Sequence, residues 1–151
     1  TIISRCQTIR FKPSSHQELK QIHNQSNYNT SDLSSDSEIL ENLIFISNGS
    51  PGKLVDNIKF WNQIPENIKN EIKFPLKNYE DILFLAKNIT NNLEIDKQEF
   101  LLDYMQKDWW KKTKDKKLIE ILEGIKNNIK SNIQPRISWE VGLLKVKLKD
   151  S

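Results

Sequence analysis

The sequence predicts a mainly α-helical protein, two small helical modules behind a remnant strand of a sheet. Three observations carry this. From Leu19 onward, apolar residues recur at spacings of three and four, the period of one helix face. Gly and Pro number only 4 and 5 in 151 residues, which disfavours a turn-rich β or disordered chain. Most of the apolar runs are preceded by a residue with a capping side chain.

Composition sets the remaining bounds. The length allows one domain or two small ones. No apolar run reaches the ~20 residues of a membrane helix. A formal charge of +3 permits nucleic-acid contact without demanding it, and the abundance of Ile, Lys and Asn together is read in part as AT-rich coding. The single cysteine, Cys6, excludes an internal disulfide and points to a reducing, cytoplasmic setting. The opening Thr1-Ile2-Ile3 falls in mid-pattern, so the sequence is expected to be the C-terminal part of something longer.

In order, Thr8-Ile9-Arg10-Phe11 alternates as a short strand and Pro13 ends it. Ser15-x-x-Glu18 is a capping box opening a helix with Leu19 and Ile22. Residues 24–35 are polar and read as a loop. Ser35 or Asp36 caps a second helix, expected to run to Ser47 with Ile39, Leu40, Leu43 and Ile44 inward. Gly49 supplies the positive φ that ends it. Ser50 and Pro51 then cap and open a third helix bearing Leu54, Val55, Ile58 and Trp61.

Residues 63–78, with Pro65 and Pro75, read as a connector holding one helical turn. Asn78 or Tyr79 starts a helix with Ile82, Leu83, Ala86 and Ile89 on one face. Asp96 is expected to cap the next, with Phe100, Leu101, Tyr104, Met105 and Trp109. A helix from Asp115 carries Leu118, Ile119, Leu122, Ile125 and Ile129. Pro135 opens the last, apolar on two faces: Ile137, Val141, Leu144 and Leu148 on one, Trp139, Leu143 and Val146 on the other. Two apolar faces predict burial between neighbouring helices or between subunits.

Asn48-Gly49-Ser50-Pro51-Gly52-Lys53 invites confusion with a phosphate loop. That loop requires Gly-x-x-x-x-Gly-Lys-Ser/Thr. Here Ser47 holds the first glycine position and Leu54 the last hydroxyl position, so both ends fail.

Other chemistry is sparse. Residues 107–117 hold six lysines and two aspartates around Trp109 and Trp110. Aromatics among lysines can stack on bases and hold phosphates, which makes Trp110, Lys111 and Lys112 candidate nucleic-acid contacts. The competing reading has Trp109 in the core and the lysines solvating a helix end. His16 and His23 lie seven apart on one helix face, without a third ligand for zinc, and read as solvated. Cys6 reads as a packing residue, and no Ser/His/Asp set or carboxylate pair stands out.

Ser4-Arg5-Cys6 by itself is a surface arginine at a strand end. Its order with the strand, capped helix, polar loop, helix and Gly-Ser-Pro-Gly-Lys turn resembles the end of the ATPase module and the lid of clamp-loader AAA+ proteins. The turn, Ile133-Gln134-Pro135-Arg136, and Phe100-Leu101-Leu102-Asp103-Tyr104 with Trp109-Trp110 are similar to delta-prime subunits of bacterial DNA polymerase III, cyanobacterial versions most of all. The resemblance implies residues 1–12 as the end of the ATPase-like domain, 13–63 as the lid and 74–148 as the collar that oligomerises. It implies Arg5 as an arginine finger acting in trans on ATP and magnesium held by a neighbouring subunit. Implied partners are the motor subunits and delta, with sliding clamp and primed DNA met through the complex, and no membrane. Where hydrolysing subunits carry a nucleotide-sensing arginine in the lid turn, this sequence has Gly52, which implies that the chain binds no cofactor of its own. Two other readings stay open: a helical nucleic-acid-binding module using the Trp-Lys segment, and a genuine AAA+ ATPase subunit.

Overall fold

The computed structural model describes residues 12–25 and 36–150. Ser4-Arg5-Cys6, the expected strand at Thr8–Phe11, most of the polar loop and Ser35 lie outside those residues. The described residues form eight helices and no strand: α1 His16–Gln25, α2 Ser37–Ile46, α3 Pro51–Gln63, α4 Glu66–Glu71, α5 Tyr79–Asn92, α6 Ile95–Thr113, α7 Lys116–Lys130 and α8 Pro135–Asp150.

Side-chain caps fix several of the starts. At α1 the box closes in both directions, Ser15 N–H donating to Glu18 Oε2 at 2.7 Å and Glu18 N–H to Ser15 Oγ at 3.2 Å. Ser50 Oγ accepts from Lys53 N–H at 3.3 Å, with Pro51 at the first position of α3. Asn78 Oδ1 and Asp115 Oδ1 cap α5 and α7, each at 2.9 Å. Asp36 occupies the N-cap position of α2 but its side chain makes no capping hydrogen bond. Helix α6 starts earlier than expected: Glu94 is its N-cap residue, and Asp96 falls in the first turn, where a carboxylate favours the positive helix end.

Helix α2 stops at Ile46, one residue before the expected Ser47. Ser47 Oγ donates to Ile44 O, and Asn48 (φ 51°) and Gly49 (φ 77°) both turn left-handed. The glycine is required here for a second reason. A Cβ on Gly49 would sit 2.7 Å from Pro13 Cβ, and Gly49 O accepts from Ser14 N–H at 2.9 Å. The turn therefore anchors the entry to α1 as well as joining α2 to α3.

Helices α1, α2 and α3 pack together, and α2 and α3 lie on α6. Trp61 meets Tyr104 with ring centroids 4.3 Å apart, and Phe60 meets Phe100 at 5.6 Å. Helix α8 packs between α5 and α7, while α6 packs on α7. One apolar core runs from Leu19 to Val146. The connector contributes to it: Ile64, Ile68, Ile72 and Leu76, spaced by four, are all buried.

One face assignment changes, on α5, while α8 shows the two expected faces and buries one of them. On α5 the buried set is Ile82, Leu85, Ala86 and Ile89, while Leu83 and Phe84 are exposed. A run of four apolar residues cannot itself say which pair points inward. On α8 the Trp139, Leu143 and Val146 face is buried, and Ile137, Val141 and Leu148 stand exposed, with Leu144 partly covered. Helices α7 and α8 approach closely at Gly142. A Cβ there would lie 2.3 Å from Ile125 Cγ1 and Cδ1, and Ile125 is itself buried. Gly142→Ala is therefore expected to lower stability by about 1–3 kcal/mol through overpacking, despite alanine's better helix propensity, and urea denaturation measures it.

Candidate functional site

The structure divides the Trp-Lys segment among three surroundings, because the C-terminal half of α6 turns successive residues to different sides. Trp109 points inward and is fully buried. Its Nε1–H donates to Ile72 O at 3.0 Å and its ring meets Phe74 edge-on at 5.4 Å. This tryptophan belongs to the core. Lys112 Nζ pairs with Asp108 Oδ2 at 2.8 Å and lines a cleft of about 760 Å³ with Asp36, Trp61, Lys69 and Tyr104. Lys111 Nζ stands 3.9 Å from Glu41 Oε2. Glu41 also accepts from Lys20, and these contacts hold its carboxyl below the usual range, the Lys20 hydrogen bond most of all.

Asp108 of that cleft also takes part in a polar joint between α2 and α6. Asn42 Nδ2 donates to Asp108 Oδ1 at 3.5 Å across 66 residues of sequence. Tyr104, beside them, is pushed well above the usual phenol range, chiefly by burial.

Trp110 faces a different groove, of about 600 Å³, together with Phe45, Asn48, Lys107, Lys116 and Lys126. Helix α6 ends with Lys114 in the left-handed conformation (φ 52°), its N–H donating to Trp110 O at 3.0 Å. That reversal brings Lys114 Nζ to 5.6 Å from the Trp110 ring centre. Lys107 Nζ lies 3.3 Å from the Phe45 ring centre. The two aromatic rings of the groove therefore each carry a lysine cation, an arrangement that ring quadrupoles favour. Lys107 is held below the usual amine range by burial first, then by Lys111 and Lys114. Lys126 pairs with Asp103 at 2.5 Å.

Of the sequence candidates, Trp110 lies in this groove and Lys112 in the other cleft, so the three residues do not form one patch. Phe45, Lys107 and Lys126 were missed. Phe45 carried a signal: an aromatic two residues past Leu43 sits off the inward stripe of α2. Lys126, on the next helix, carried none. His16 is exposed and His23 half-buried, with burial lowering its pKa. Among the described residues no group of three or more His, Cys, Asp or Glu is placed to hold a metal ion, and no helix is long and apolar enough to cross a membrane.

The described residues thus make an all-helical scaffold that offers grooves and an exposed apolar helix face to partners. By sequence comparison the chain belongs to the family described as "Cyanobacterial DNA polymerase III delta prime, C-terminal domain", which matches residues 17–146. Membership supports the role of a clamp-loader subunit in DNA replication and implies association with other subunits of that assembly. The matched span leaves out Ser4-Arg5-Cys6. No curated protein and no solved structure matches the chain.

Proposed function

We propose that this chain acts as a delta-prime-like subunit of the clamp loader: it holds a place in the ring through its C-terminal helices and supplies Arg5 in trans to ATP held by a neighbour. On this reading residues 13–63 serve as the lid and 74–148 as the collar, and the neighbour's ATP and magnesium drive loading of the sliding clamp on primed DNA. Arg5 offers a planar fork of donors suited to the charge that spreads over a transferring phosphoryl group.

The observation that carries the ring assignment is the outer face of α8. Ile137, Val141, Leu144 and Leu148 follow one another at four, three and four, the spacing of a helix–helix seam, and the first, second and fourth are 45–65% exposed. Gly52 supports the second half of the proposal. It is exposed in the first turn of α3, and a Cβ there would meet only Ser50 Oγ, at 3.9 Å. Packing leaves room for the sensing arginine of a hydrolysing subunit, and the residue is glycine nonetheless.

The test is a double substitution on the seam. Ile137→Glu with Val141→Glu is expected to leave helical content and thermal midpoint near wild type, since both side chains face solvent. The same pair is expected to abolish co-elution of the subunit with its clamp-loader partners in size-exclusion chromatography. Undiminished co-elution would overturn the seam.

A further inference from the structure

We propose that the groove between the end of α2 and the C-terminal half of α6 is a binding site for single-stranded nucleic acid, with Phe45 and Trp110 as stacking faces and Lys107, Lys114 and Lys116 as phosphate contacts. The site shares no residue with Arg5, Gly52 or the α8 seam.

The groove has two features of single-strand binders. It exposes two aromatic rings, Phe45 at 55% and Trp110 at 39%, and sets both among cations. Base–aromatic stacking beside a positive groove gives affinity without sequence preference. Its volume of about 600 Å³ lies within the range of small-ligand pockets. The lysines are also incompletely neutralised. Lys126 is paired with Asp103, and Lys116 Nζ stands 3.6 Å from Glu120 at the surface. Lys107 and Lys114 have no carboxylate within ion-pair distance among the described residues and rest on the aromatic rings instead. Lys111 and Lys114 both bear on Lys107 as like charges, which a phosphodiester chain relieves. An acidic peptide would satisfy the lysines but would leave both ring faces without a stacking partner, so the nucleic acid is the better fit.

The four tryptophans make the site readable. Trp61, Trp109 and Trp139 are buried, so Trp110 is the indole that a base can reach. The experiment titrates the full subunit with fluorescein-labelled oligo(dT) at several salt concentrations, following anisotropy and tryptophan emission. Binding is expected to quench the accessible part of the emission. The log–log salt slope is expected near −2, at ~0.7 per lysine–phosphate contact on a single strand. Trp110→Leu is expected to weaken binding about 5–100-fold and remove the quench. Lys107→Ala with Lys114→Ala is expected to flatten the slope by about 1.4. All three positions are at least partly open to solvent, and circular dichroism checks that the variants remain folded. Oligo(rU) separates RNA from DNA, and binding of either supports the site. Absence of binding, duplex DNA binding as tightly as oligo(dT) without quenching, or a poly-glutamate peptide binding as tightly as oligo(dT), overturns it.

Discussion

Arg5→Ala is expected to cut DNA-dependent ATP hydrolysis by the assembled clamp loader by roughly 10³–10⁵-fold while leaving assembly intact. That range is the contribution of arginine fingers to phosphoryl transfer, and it corresponds to about 4–7 kcal/mol of transition-state stabilisation. The effect follows from what arginine supplies. Its charge is permanent and its donors lie in one plane, matched to phosphate oxygens. Arg5→Lys keeps the charge and loses the fork, so it is expected to recover only a small part of the rate. A structural role predicts a different pattern, in which the alanine variant loses partner binding or melts early. Steady-state ATPase and size-exclusion chromatography on the same preparations separate the two, and an unchanged ATPase would remove Arg5 from the mechanism.

Trp109→Ala is expected to destabilise the fold by about 3–5 kcal/mol, the cost of emptying a tryptophan-sized core site. The residue ties α6 to the connector. Its Nε1–H is satisfied by Ile72 O, and its ring lies against Phe74. The loss leaves a cavity and an unsatisfied buried carbonyl. For a protein of this size it is expected to lower the thermal midpoint by roughly 6–20 °C, at 2–4 °C per kcal/mol. Trp109→Phe keeps one aromatic ring but loses the donor and part of the indole volume, and is expected to cost about 1–3 kcal/mol. A loss in the phenylalanine variant as large as in the alanine variant would contradict packing of the six-membered ring as the main contribution.

Local chemistry was legible in the sequence and distant chemistry was not. The Ser15–Glu18 box, the Ser50-Pro51 start and the Asp115 cap depend on residues two or three apart, and each forms as read. The Gly49 stop also forms, though its close approach to Pro13 spans 36 residues and has no local signature. Ile64, Ile68, Ile72 and Leu76 were hidden by Pro65 and Pro75, which punctuate the stretch as a linker although tertiary packing buries its apolar stripe. The same limit hid the polar joints. Trp139 Nε1–H donates to Gln98 Oε1 at 2.9 Å, and Gln98 Nε2–H to Leu93 O at 2.9 Å, but nothing near Gln98 in sequence marks it as buried. On α8 both apolar faces were visible; which one the chain itself covers depends on α5 and α7.

The groove shows the same division. Trp110 and its neighbouring lysines stood out as a cluster, but helical geometry sends Lys112 to the cleft beside Asp108 and leaves Trp110 on the other side. Phe45 and Lys107 meet only because α2 lies across α6. Composition therefore marked the Trp-Lys segment, and the crossing of two helices decides which of its residues share a surface.

Mass photometry of the reconstituted clamp loader reads the subunit's place in the ring as mass. The full subunit is mixed with its motor and delta partners, and the assembly is weighed with and without the Ile137→Glu, Val141→Glu pair. One copy of the subunit is expected in the wild-type assembly and none in the seam variant. A wild-type subunit that stays outside an otherwise complete ring would contradict that place.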